Sequence, residues 1–153
     1  MLDDLFGPNL LIVFCGTAAG KRSAALKQYY AGRGNRFWDI LAATKLTPRQ
    51  LAPSEYRLLP IFGIGLTDIV KGHVGSDVGI TFRSADRARL RAKLLDYEPR
   101  YLCFNGKRAA QEFFGTKAIA YGVLRQNRAG AVAGHYRDVS GVDRPDDRDG
   151  WQA

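Results

Sequence analysis

The 153-residue chain contains only two cysteines, two histidines and one methionine. No CxxC pair accompanies the histidines, so neither a structural zinc nor an iron–sulfur centre is expected. Long apolar stretches are also missing. The longest run, Leu10 to Cys15, suits a buried strand, whereas a membrane helix needs about 20 residues. The start, Met1-Leu2-Asp3-Asp4, is acidic and lacks the basic opening of a secretory signal. Cys15 and Cys103 lie in apolar runs and read as reduced core thiols, which fits a cytoplasmic protein. Phosphate-loop signatures are absent too. The small-residue turn after the first apolar run, Gly16-Thr17-Ala18-Ala19-Gly20, has neither GxGxxG spacing nor a GK[ST] ending, which speaks against dinucleotide and P-loop nucleotide binding.

Acidic residues are scarce relative to basic ones, 15 against 23, giving a formal charge of +8. The imbalance is uneven. Residues 139–153 hold four Asp and two Arg, so the first 138 residues carry 21 Lys and Arg against 11 Asp and Glu. A surface this basic attracts polyanions, because each phosphate neutralised by Lys or Arg releases a counterion. A soluble basic protein without such a partner has the same composition.

The apolar pattern alternates strand and helix. Leu10 to Cys15 reads as a central parallel strand, β-branched in its middle, and Ser23 to Tyr30 as a helix. Ala31 to Asn35 is a glycine-loosened basic loop, and Phe37 to Ala43 a helix with Phe37, Ile40 and Leu41 on one face. Pro48 opens a further helix from Thr47 towards Leu59, interrupted near Pro53. A shorter strand lies within Phe62 to Val70, followed by a Gly-rich loop over 72–83. Ser84 caps a helix whose apolar stripe is Ala88, Leu90, Leu94 and Leu95, with Arg87, Arg89, Arg91 and Lys93 as a solvated face. Tyr101 to Phe104 is a third strand, and Lys107 to Phe114 the helix after it. Strands joined through helices predict a parallel sheet covered on both faces, with function beyond its carboxyl ends at 16–20, 67–69 and 105–107. Residues 1–138 form the expected domain and 139–153 a polar tail.

Between Gln28 and Trp38, aromatic, basic and amide residues interleave in a way that can stack a base, approach a phosphate and hydrogen-bond a base edge. A strand ending in GxxxG, then Tyr29-Tyr30, then Asn35-Arg36-Phe37-Trp38, resembles the uracil-DNA glycosylase superfamily. It looks nearest to the mismatch-specific uracil/thymine and hypoxanthine branches. Gly63 to Val70 and Phe104 to Ala109 extend the likeness over roughly residues 9–115. The resemblance implies a three-layer αβα sandwich around a short, mainly parallel four-stranded sheet. It also implies a monomeric, metal-independent and cofactor-free glycosylase that flips a damaged or mismatched base, above all uracil, out of DNA and hydrolyses its glycosidic bond.

On that basis Asn35 and Asp68 are the expected catalytic residues, although a loop cap and a turn cap are the plain alternatives. Gly16, Thr17, Ala18, Tyr30, Asn105 and His135 are expected at the substrate, and Arg33, Arg36, Lys107 and Arg137 at the DNA backbone. Two features depart from the family pattern. Ala18 stands where relatives carry a water-positioning side chain, and Gly130 to Arg137 replaces the usual Ser/Pro-containing wedge. Hypoxanthine or mismatched thymine as the lesion, and a catalytically inactive DNA-binding relative, are the competing expectations.

Overall fold

A computed structural model describes the backbone of residues 1–124 and 134–136, and the side chains as far as residue 122. Strand β1 (Ile12–Gly16) forms the centre of the sheet. It pairs in parallel with β2 (Ile64–Asp68) on one side and β3 (Tyr101–Phe104) on the other. Beyond β3 lie β5 (Gly134–Tyr136), also parallel, and β4 (Gly122–Leu124), antiparallel at the edge. Among the described residues, the order β2-β1-β3-β5-β4 gives five strands where the sequence suggested four, and the antiparallel edge makes the sheet mainly rather than wholly parallel.

Alternation along the strands decides which helices cover which face. Val13 and Cys15 of β1 with Leu102 and Phe104 of β3 join one apolar cluster. Leu90 and Leu94 of α3 (Ser84–Tyr97) and Ala109, Ala110 and Phe113 of α4 (Lys107–Phe114) complete it. Phe14, Ile64, Leu66 and Cys103 point the other way. They pack with Phe37, Trp38 and Leu41 of α2 (Phe37–Ala43) and with Tyr56 and Leu59 of a 3-10 helix (Pro53–Phe62). Cys15 and Cys103 are both buried. Among the described residues, no helix is long and apolar enough to cross a membrane.

Several local expectations need correction. Helix α1 (Lys21–Leu26) is shorter than expected, because Lys27 turns left-handed at φ 52° and leads Gln28 to Tyr30 out of the helix. Nothing helical opens at Thr47, and the turn structure starts at Pro53 instead. On α3, Ser84 is the first helical residue; Asp86 caps the end by accepting from the Arg83 N–H at 3.0 Å. Leu95 of the predicted stripe is 73% exposed, and Ala88 is exposed too. The basic side of α3 is not simply solvated, since Arg89 and Lys93 both reach Asp4. The proposed tail, 139–153, lies outside the described residues.

The N-terminal segment runs along β2. Leu5 exchanges main-chain hydrogen bonds with Leu66 at 2.8 and 3.0 Å. Gly65 permits this approach, because a Cβ there would sit 2.8 Å from both the Leu5 carbonyl oxygen and the Leu10 side chain. The bridge carries Asp4 to the carboxyl end of the sheet.

Candidate active site

The chain leaves β1 for β2 on one side and crosses to β3 on the other, which opens a crevice beyond the carboxyl ends of these strands. A cavity of about 520 Å³ occupies it. Gly16, Thr17 and Ala18 come from the end of β1, Asp68 from β2, and Asn105, Gly106 and Lys107 from the passage between β3 and α4. The loop after α1 adds Tyr30, Gly32 and Asn35.

The turn after β1 is held from behind. Its Gly16 and Thr17 carbonyls accept from the Ile69 and Val70 N–H groups at 3.0 and 2.9 Å. Among the described residues, the Thr17 and Ala18 N–H groups donate to no main-chain carbonyl. Gly16 is the register partner of Asp68, and a Cβ on it would come within 2.6 Å of Asp68 Oδ1. Any larger residue there would force that carboxylate to shift.

Asp68 is 3% exposed, and its Oδ2 has no hydrogen-bond partner among the described residues. Lys71 Nζ stands 3.7 Å away, an ion pair without a hydrogen bond. Burial pushes the Asp68 carboxyl up to about 6; Asp4 adds to the rise, while Lys71 and Arg89 oppose it. Tyr30 adopts a left-handed backbone at φ 52° and stacks on Phe37 with centroids 4.0 Å apart. Its hydroxyl is buried without a completed hydrogen bond among the described residues, as is Asn105 Oδ1. Burial, with Asp68 adding, raises the Tyr30 hydroxyl far above the usual range, and the neighbouring Asn105 side chain opposes the shift.

Asn35 is a loop cap that also faces the cavity. Its Oδ1 accepts from the Phe37 N–H at 2.9 Å, the turn-forming bond of a loop cap, while the residue also lines the cavity. The loop before it is pinned to α1: Ser23 Oγ accepts from Ala31 N–H at 3.0 Å, and Arg22 Nε donates to the Ala31 carbonyl at 2.9 Å.

The other expected residues divide. Lys107 lines the cavity and lies over the Tyr121 ring at 5.3 Å. Arg33 and Arg36 are exposed and outside the cavity lining. His135 is placed through its backbone alone, paired with Cys103 and Val123, and Arg137 falls outside the described residues. Sequence reasoning missed Asp77, from the 72–83 loop, which lines the cavity and accepts from Thr17 Oγ1 at 3.2 Å. It also missed Ser23, Arg108, Gln111 and Tyr121 in the lining. Nothing in the spacing of these residues marks them. Among the described residues, no three His, Cys, Asp or Glu side chains cluster to hold a metal ion.

A family model described as the uracil DNA glycosylase superfamily matches residues 4–144, which spans every cavity residue above.

Proposed function

Because the chain belongs to the uracil DNA glycosylase superfamily, a family of DNA glycosylases that serve base excision repair, we propose that it flips uracil out of DNA and hydrolyses its glycosidic bond. One observation carries this reading: a single cavity, large enough for a nucleobase with its sugar, gathers the three strand ends and the Tyr30–Asn35 loop. The accompanying fold reading is a three-layer αβα sandwich. The two apolar clusters on opposite faces of the sheet support it.

In the reaction the C1′–N1 bond breaks and its electron pair leaves with the base. The sugar passes through a cationic state, and water adds at C1′ with loss of a proton. The protein must therefore stabilise negative charge on the base and positive charge on the sugar. The Thr17 and Ala18 N–H groups and the Asn105 amide receive the base edge. Tyr30, backed by Phe37, supplies the aromatic wall. Asn35, fixed by the Phe37 N–H, positions the water that Ala18 cannot hold. Asp68, ionised, favours the cationic sugar. Arg33, Arg36 and Lys107 contact the DNA backbone around the mouth.

Duplexes carrying uracil, thymine opposite guanine, or hypoxanthine, incubated with the protein and then cleaved at abasic sites, test the proposal. Uracil is expected to be released fastest. Faster release of hypoxanthine would move the assignment to a deaminated purine. Salt-dependent binding with no abasic product from any duplex would leave a DNA-binding relative without activity.

A further inference from the structure

We infer that Asp4, brought in by the N-terminal segment, is a positioning residue that governs the charge state of Asp68 by holding Lys71 away from it. Its effect on turnover rests on the catalytic reading of Asp68 above; the electrostatic coupling does not.

Two buried carboxylates share one lysine unequally. Lys71 has three N–H donors. Its Nζ pairs with Asp4 Oδ1 at 2.5 Å and donates to Tyr29 Oη at 2.9 Å and the Leu2 carbonyl at 3.1 Å, all closer than Asp68 Oδ2 at 3.7 Å. Asp4 gathers more: Arg89 at 2.7 Å, Lys93 at 2.6 Å and the Thr67 hydroxyl at 2.7 Å. Burial works against Asp4 ionising, but Lys71, Lys93 and Thr67 outweigh it and hold its carboxyl below the usual range. Arg89 touches the end of β2 only through main chain, donating to the Asp68 and Ile69 carbonyls at 2.7 and 3.1 Å. Among the described residues, Asp68 Oδ2 is left with no donor.

The side chains of Asp4, Asp68 and Lys71 are 4%, 5% and 13% exposed, so water screens their interactions poorly. The titratable groups around Asp68 come from every packed element. They are Asp4 from the N-terminal segment, Cys15 from β1, Tyr29 and Tyr30 from the loop after α1, Lys71 beyond β2 and Arg89 from α3. Among the described residues, only Asp4 both repels the Asp68 charge and captures its nearest cation.

Neutralising Asp4 therefore removes a repulsion and frees Lys71, and both effects favour the Asp68 anion. Carboxyl-detected NMR of protein labelled with carbon-13 aspartate, with Asp68→Asn to assign the signal, reads this directly. In Asp4→Asn the Asp68 titration is expected to move down by on the order of one pH unit. In Lys71→Met it moves up. Asp4→Glu, which keeps the charge, stays near wild type. A folded Asp4→Asn or Lys71→Met whose Asp68 titration is unmoved, or shifted in the opposite sense, overturns the inference; the two variants test it independently if one fails to fold. Single-turnover uracil release measured against pH in the same variants separates the two readings. NMR shifts as expected beside an unchanged rate profile would uphold the coupling and remove Asp68 from catalysis.

Discussion

Gly16 and Asp68 face each other across the β1–β2 pair so closely that a Cβ on the glycine would overlap the aspartate Oδ1 at 2.6 Å. The carboxylate cannot withdraw easily, since β2 is buried throughout and the Asp68 carbonyl is tied to Arg89. Gly16→Ala is therefore expected to cost about 1–3 kcal/mol of stability through overpacking. Displacing Asp68 should also slow uracil release by tenfold or more. Denaturant unfolding and single-turnover kinetics check the two effects. Wild-type values for both would mean that the carboxylate has room to move.

Asn35 has a structural and a proposed catalytic duty, and Asn35→Ser separates them. A serine hydroxyl can still accept from the Phe37 N–H, but it is too short to carry an amide into the cavity. The melting temperature is expected to stay within a few degrees of wild type, while turnover falls at least tenfold and DNA affinity changes little. Equal losses of turnover and affinity would assign Asn35 to binding.

The contrast between Asn35 and Asp4 indicates what the sequence made legible. Asn35, Tyr30 and the strand ends belong to short contiguous segments, and their convergence follows from ordinary βαβ topology. Helix α2, strand β3 and helix α4 begin and end where apolar periodicity and the Asn105-Gly106 turn place them. Helix α1 did not, because its stop is a left-handed Lys27 with no glycine or proline to announce it. The Asp4 cluster joins residues up to 89 positions apart, and no local pattern encodes a contact over that distance. One faint signal existed. Arg89 and Lys93 are four residues apart and so share a face of α3.

The acid limb of the rate profile should report Asp68. Burial lifts its carboxyl to about 6, and its proposed work, favouring the cationic sugar, belongs to the ionised form. Single-turnover uracil release is therefore expected to rise as pH increases through about 6 and then level off. Asp68→Asn should be slower and lack this limb. A rate that instead falls as pH rises through 6 would make the protonated carboxyl the active form, donating a hydrogen bond to the departing base.

The same burial sets a stability cost with a definite sign. The folded-state value for Asp68 is raised, so between about pH 4 and 6 the folded protein binds more protons than the unfolded chain, and stability declines as pH rises. Above pH 6 the loss is complete and amounts to at most about 3 kcal/mol. Asp4 acts oppositely. Its folded-state value is lowered, so its contribution is present above the ordinary carboxylate range and disappears on acidification. Asp68→Asn removes the first effect and leaves the second. The variant should gain roughly 1–3 kcal/mol over wild type at pH 8, a rise of several degrees in melting temperature, and almost nothing near pH 4, where the native carboxyl is already neutral. Thermal melts of both proteins at the two pH values decide it. A variant no more stable than wild type at pH 8 would show that the Asp68 charge is better compensated than a lysine at 3.7 Å allows.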